Sequence, residues 1–364
     1  VDTLNSLGFP AYYTENIELP FKTMGAIGFP EQAQIHARKY CVGLIKTLPN
    51  NTVFENSKVI NVEKDISGEY NTICENGASV TSKYVVIASH YPIINFPGFY
   101  FLKMYQDKSY LIAVDAKKEL FDGMYISAEE PVTSFRTAMV NEKRLLLVGG
   151  SGHKTGDTSI DINASYRNLE NYIKSIYPKA EVIYRWSTED CITLDKLPYI
   201  GQFSNMLPNV YVATGFKKWG MTTSFVAANS IFREIIGNPD DDAKIYKATR
   251  MAPVKNGKEM GNILKETTNS LVFNKFKSPI LSIDDLKIGE GGVVSCDGQK
   301  LGVYKKSEDE IIAVKPYCKH LGCQLSWNQL EKTWDCPCHG SRYDYNGKLM
   351  TEPSKKDLDR VDLF

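Results

Sequence analysis

The sequence lacks any excess of charge. Its 43 basic residues meet 43 acidic ones, so no net field draws the chain to nucleic acid or to an anionic membrane surface. It has no apolar run near the eighteen residues of a membrane span and none shaped like a signal peptide. No stretch matches the dinucleotide fingerprint G-x-G-x-x-G. Gly149-Gly150-Ser151-Gly152-His153-Lys154-Thr155-Gly156 approaches that pattern and the phosphate-binding G-x-x-x-x-G-K-T, satisfies neither, and reads as a glycine-rich turn after a strand. Histidine is scarce, at five residues, and cysteine outside one short region is reduced to Cys41, Cys74, Cys191 and Cys296. That usage fits a reducing cytoplasm better than a secreted disulfide scaffold.

The scarce residues are concentrated. Residues 318–339 hold four of the eight cysteines and two of the five histidines. They form two boxes, Cys318-Lys319-His320-Leu321-Gly322-Cys323 and Cys336-Pro337-Cys338-His339-Gly340-Ser341. The fifteen residues between His320 and Cys336 can fold back as a hairpin. Each box offers one thiolate and one imidazole, with a cysteine left over. Two thiolates on one iron and two imidazoles on the other is the ligation of a Rieske [2Fe–2S] centre. Tetrahedral zinc is the alternative for two Cys and two His, although zinc fingers pair Cys with Cys and His with His.

The spacing C-x-H-x15-C-x-x-H closely resembles the Rieske family. The resemblance implies that Cys318 and Cys336 hold one iron, and that His320 and His339 hold the other. It further implies a disulfide between Cys323 and Cys338, as in the high-potential members, and places Ser341 and Tyr343 where hydroxyls donate to cluster sulfur and a ligand cysteine. Zinc would leave these four residues unexplained. Quinol-oxidising members are usually membrane-anchored, and the lack of an apolar span speaks against that role. An oxygenase would need a further iron held by two His and a carboxylate. Only His36, His90 and His153 remain for it, so that reading is rejected.

Ahead of these boxes the pattern alternates between helix and strand. Helical spacing predicts a helix over 31–48, carrying His36 as a packing or surface residue, and a second over 160–177. Strands are expected at 52–54, 57–63, 70–74, 109–115, 123–128, 133–139 and 143–149. Residues 83–89 read as a buried strand ending in small residues, where backbone can approach a cofactor. A strand over 209–214 runs into Gly215, and a helix begins near Gly220 with Phe225, Ala228, Ile231, Phe232 and Ile235 on one face. Free N–H groups at that helix start suit negative charge on a reduced flavin.

The wording P-Y-I-G…N-V-Y-V-A-T-G-F-x-x-W-G-M-T-x-S over 198–224 resembles the flavin-contacting segment of the D-amino-acid-oxidase-like flavoproteins. The resemblance runs back through the helix at 33–40, the strand at Val59 and the strand at 84–89. It implies FAD contacts at Val59, Ala88, Gly215, Phe216, Trp219, Gly220, Met221 and Thr222, with Arg136 as a candidate for facing flavin or substrate. An arginine at a strand end is, however, more often a surface ion-pair residue.

Together these readings predict an α/β (α+β) flavoprotein-like domain over 1–245, a connection over 246–274 and an all-β Rieske domain over 275–364. The latter is expected as short strands at 279–282, 291–296, 302–305 and 311–315, with an Asp297-Gly298 hairpin turn. The chain resembles bacterial fusions of an FAD-dependent oxidoreductase with a C-terminal Rieske domain. It opens on Val1 in mid-pattern, which predicts that the dinucleotide-binding start of the first domain precedes it. Residues 1–245 alone should therefore bind FAD weakly, and the protein made with its upstream coding segment should be yellow. Stoichiometric FAD on the present chain would overturn that expectation. The function expected is an enzyme that oxidises a small-molecule substrate with FAD and passes electrons to the cluster and a donor or acceptor protein. The alternative is an electron carrier whose flavoprotein-like part is a docking scaffold.

Overall fold

A computed structural model describes residues 1–157, 160–250, 261 and 282–363. Two compact units are interleaved in sequence. The first takes Val1–Phe54, Ser109–Gly152 and Asp161–Thr188; the second takes Glu55–Lys108, His153–Ile160 and Glu189–Phe364. The strand expected at 279–282 and most of the connection expected over 246–274 fall outside the described residues.

The chain begins with α1 (Asp2–Ser6), β1 (Tyr12–Thr14), β2 (Ala26–Gly28) and α2 (Ala37–Ile45). Next come β3 (Val59–Lys64), β4 (Tyr70–Cys74), β5 (Ser79–Ser82), β6 (Val85–Ile87), β7 (Met104–Asp115), β8 (Tyr125–Ile126), β9 (Ser134–Val140) and β10 (Lys143–Lys154). They are followed by α3 (Ile162–Ile176), β11 (Glu181–Thr193), β12 (Tyr199–Ser204), β13 (Leu207–Thr214), α4 (Gly220–Ile235) and α5 (Ala243–Tyr246). The C-terminal strands are β14 (Gly291–Cys296), β15 (Gln299–Lys305), β16 (Ile311–Val314), β17 (Ser326–Asn328), β18 (Thr333–Asp335), β19 (Arg342–Asp344), β20 (Leu349–Thr351) and β21 (Arg360–Val361). No helix among the described residues is long and apolar enough to cross a membrane.

In the first unit, α3 covers a sheet of order β11-β7-β10-β9-β8. Asp161 caps the helix by accepting from the Asn163 N–H at 2.9 Å. Tyr166, Leu169 and Ile173, at helical spacing, meet Tyr110, Ile112, Leu146 and Val148 of the strands. The glycine run is not a turn: β10 continues through it to Lys154. A Cβ on Gly149 would meet the Ser134 hydroxyl at 2.9 Å, and one on Gly150 the Val132 carbonyl at 3.0 Å. These glycines allow a close approach, which composition alone reads as a turn.

The helix α2 is shorter than the 31–48 expected. His36 caps it, its Nδ1 accepting from the Lys39 N–H at 3.3 Å, and Pro49 disfavours helical backbone at Leu48. None of its residues is buried, so the expected apolar stripe lies exposed. Residues 52–54 form no strand.

In the second unit, β13 pairs with β6 in parallel, Val212 opposite Ile87, and with β12 antiparallel. The strand β6 stands at the sheet edge, which corrects its expected burial: Val86 is 47% exposed. The helix α4 packs on this sheet through Ala227, Ser230 and Ile231. Of the face read from the spacing, Ile231 is buried while Phe225 and Phe232 are exposed; the helix is apolar on more than one side, so periodicity does not say which side is covered. The C-terminal strands form two four-stranded sheets, β14-β15-β16-β21 and β17-β18-β19-β20. Asp297 and Gly298 turn β14 into β15 with φ of 49° and 75°, the left-handed pair a type I′ hairpin requires.

Candidate metal centre

The hairpin of β17 and β18 pairs Trp327 with Trp334 and so brings the two boxes at its outer ends side by side. Each box is the same small loop. The Gly322 N–H reaches the Cys318 carbonyl at 2.9 Å and the Cys318 N–H the Cys323 carbonyl at 2.8 Å. In the second box the Gly340 N–H reaches the Cys336 carbonyl at 3.0 Å and the Cys336 N–H the Ser341 carbonyl at 2.8 Å. Gly322 and Gly340 hold φ of 79° and 81°, a region costly for any residue with a Cβ. Cys323 and Cys338 are joined by a disulfide, S–S 2.11 Å, which ties one loop to the other. Cys318 and Cys336 are buried free thiols.

The two imidazoles lie at right angles, their centroids 5.0 Å apart. Burial holds His320 down to about 4, helped by the charge of Lys355. Burial also holds His339 down to about 3, with His320 and Lys154 adding to it. Both rings are therefore neutral at physiological pH, the form that binds metal. The Cys318 thiol is held below its ordinary range, chiefly by its hydrogen bond with Cys336 and, against burial, by Tyr343. Nδ1 of His320 and Nδ1 of His339 are buried with no hydrogen-bond partner, unusual for such atoms. Two free buried thiols and two unpartnered imidazole nitrogens at one place fit a [2Fe–2S] cluster. Cys323 and Cys338, bound to each other, are not available to hold it.

Tyr343 and Ser341 are fully buried beside these thiols. The Tyr343 oxygen accepts from the Lys319 N–H at 3.1 Å and lies 3.5 Å from Cys318 Sγ, which leaves the phenolic proton for the sulfur. Ser341 Oγ accepts from the Ser354 N–H at 3.0 Å and keeps its own proton to donate.

The purified protein should contain two irons and two acid-labile sulfides per chain. His320→Cys or His339→Cys should change the visible spectrum and lower the midpoint potential, because a thiolate adds negative charge. Metal analysis giving one zinc and no sulfide would reject this centre.

Sequence reasoning missed the surroundings of the histidines. His320 Nε2 donates to Asn95 Oδ1 at 2.9 Å. The Phe101 ring meets the His320 and His339 rings edge-on at 6.4 and 6.0 Å, and Tyr91 meets His320 at 6.3 Å. The signal was available as four aromatics in six residues, Phe96, Phe99, Tyr100 and Phe101, beside a Pro-Gly pair.

Behind the hairpin lies a buried ionic group. Arg342 places Nε 3.0 Å from Asp335 and Nη1 2.9 Å from Glu189, and also binds Glu331. Lys108, 1% exposed, binds Glu331 and lies 3.6 Å from Glu189 and 3.8 Å from Asp335. Asn328 and Thr333 donate to Asp335 at 3.1 and 2.7 Å. Burial raises the Asp335 carboxyl, but Arg342 and Lys108 outweigh it and hold it below its usual range.

Of the flavin-facing candidates, Ala88 and Gly215 follow the carboxyl ends of the neighbouring parallel strands β6 and β13, whereas Val59 opens β3 in a separate antiparallel sheet. Val59, with Ile87 and Ser89 on either side of Ala88, borders a largely apolar cleft of about 310 Å³. Gly215, at φ 73°, follows β13; a Cβ there would meet Thr193 Cγ2 at 2.3 Å. Phe216, Trp219, Gly220, Met221 and Thr222 form the turn into α4. Trp219 caps the helix without a side-chain hydrogen bond, and open space faces Gly220. Parallel strand ends with an uncapped helix N-terminus suit an anionic cofactor. Arg136 lies in the other unit, exposed within β9 rather than at its end.

The FAD dependent oxidoreductase family matches residues 9–232, and the Rieske [2Fe-2S] domain family matches residues 277–362. The chain is 30% identical over its full length to the Rieske 2Fe-2S iron-sulfur protein YhfW of Bacillus subtilis, of which it covers 71%. It is 47% identical over 45 residues to cytochrome b6-f complex iron-sulfur subunit 1 of a Nostoc species, 12% of this chain and a quarter of that one. In fold it is similar to glycine oxidase from Geobacillus kaustophilus, with TM-score 0.56, 20% identity and 69% and 70% of the two chains covered. L-proline dehydrogenase from P. horikoshii follows at TM-score 0.52 and 16% identity, over 68% and 71%.

Proposed function

The chain belongs to the FAD-dependent oxidoreductases that carry a C-terminal Rieske domain, and on that premise we propose that it oxidises a small molecule and sends the electrons out singly through the Rieske part. Bound FAD supplies two-electron oxidation and a bound [2Fe–2S] cluster one-electron carriage. Cys318, Cys336, His320 and His339 would hold the cluster, while Val59, Ala88 and the turn from Gly215 to Thr222 would hold the flavin. Backbone N–H groups at the start of α4 would stabilise negative charge on the reduced ring.

One contact carries the reading. Asn95, seven residues after Ala88 in the same chain segment, holds the outer nitrogen of His320. The segment that leaves the flavin-facing strand end therefore ends on a cluster histidine. Small amino acids form the first substrate panel, because the fold is shared with a glycine oxidase and an L-proline dehydrogenase. The final acceptor is a separate protein.

Anaerobic mixing of FAD- and cluster-loaded protein with that panel tests the proposal. The expected sequence is bleaching of the flavin followed by the paramagnetic signal of the reduced cluster. Bleaching with the cluster left oxidised under a favourable potential would reject the internal route, and a flavin that no member of the panel bleaches would favour the docking-scaffold alternative.

A further inference from the structure

A cluster-ligating imidazole has two nitrogens, and whatever the outer one touches decides the tautomer and the electron density of the inner one. Here the outer nitrogen of His320 is spoken for. Asn95 Oδ1 has no proton to give, so the 2.9 Å contact is Nε2–H donating to the amide oxygen. That leaves Nδ1 as a bare lone pair, and Nδ1 is the buried atom without a partner.

Asn95 is itself held. Its carbonyl accepts from the Phe99 N–H at 2.8 Å, and the Phe99 carbonyl accepts from Leu102 at 3.0 Å. The chain then returns Phe101 against both histidine rings. His339 has no side-chain acceptor of this kind: the polar group nearest its ring is the Phe101 backbone, which favours its charged form against burial. The two imidazoles are thus inequivalent because of a residue outside the Rieske domain.

We propose that Asn95 is a positioning residue that fixes the tautomer of His320 and sets the potential of the cluster from the flavoprotein part of the chain. This rests on the cluster assignment above, but not on electrons coming from flavin. The acceptor pulls the Nε2 proton, makes the imidazole a stronger donor to iron, and favours the oxidised cluster. A stronger acceptor should lower the potential and an apolar one should raise it.

Two near-isosteric variants, Asn95→Asp and Asn95→Leu, test this in the full-length, cluster-loaded protein, titrated with dithionite and followed by visible circular dichroism. The expected result is opposite shifts: the aspartate lowers and the leucine raises the one-electron equilibrium by about three- to tenfold, tenfold being 59 mV. Pulsed EPR should show the remote-nitrogen coupling of one histidine altered and that of the other unchanged. Equal shifts of one sign would mean that Asn95 only supports the fold, and unchanged potentials with intact clusters would mean that the contact does not form; either result overturns the proposal. The reductant is chemical, so failure of the flavin-to-cluster route would leave this measurement unaffected.

Discussion

Replacing Arg342 by methionine should destabilise the Rieske part by about 3–5 kcal/mol, the cost of removing one partner from a buried ion pair. Two cations, Arg342 and Lys108, serve three carboxylates, Glu189, Glu331 and Asp335. The group is already one negative charge in excess. Without the guanidinium, Asp335, 5% exposed at its side chain, keeps the Lys108 ammonium only at 3.8 Å. Methionine fills much of the same volume, so the loss reports charge rather than a cavity. Arg342→Lys should recover only part of it, because an ammonium cannot present the fork that reaches three carboxylates. Urea unfolding followed by the visible circular dichroism of the cluster should show the midpoint fall by more than about 1 M. An unchanged midpoint would mean that water reaches this group and screens it.

The same residues show why the sequence was legible in one place and opaque in another. The metal boxes were readable because their geometry is local: cysteine, glycine four residues on and a closing carbonyl at five define each loop without help from the rest of the chain. The helices α3 and α4 were readable from caps and spacing. Lys108 was not, because its burial is decided by Glu331, 223 residues away. Asn95 lies 225 residues from His320, and nothing in its neighbours announces a ligand histidine. Periodicity also says that a helix has an apolar stripe without saying what covers it. The stripe of α2 lies exposed, and on α4 Ile231 is buried while Phe225 and Phe232 are not. In the glycine run, composition could not tell a turn from a strand that needs room for Ser134 and Val132.

The second large effect concerns the potential. Reduction adds one negative charge to the cluster, so donors aimed at its sulfur ligands stabilise the reduced state more than the oxidised one. Tyr343 is placed for this: its oxygen already accepts from Lys319, and Cys318 Sγ stands 3.5 Å away for its proton. Ser341, accepting from Ser354, is likewise left with a proton to give, and it acts on Cys318 in the same direction. A hydrogen bond to a charged group is worth about 1.5–3 kcal/mol. If about 1–2 kcal/mol of that is particular to the reduced state, each donor raises the potential by roughly 40–90 mV. Such donors place the centre towards the upper part of the Rieske range of roughly −150 to +300 mV. Tyr343→Phe and Ser341→Ala should each lower the midpoint by that amount with the cluster retained, and the double variant by more than either alone. Protein-film voltammetry decides it: midpoints unmoved in variants with full iron and sulfide would mean that neither hydroxyl points at sulfur once the cluster is in place.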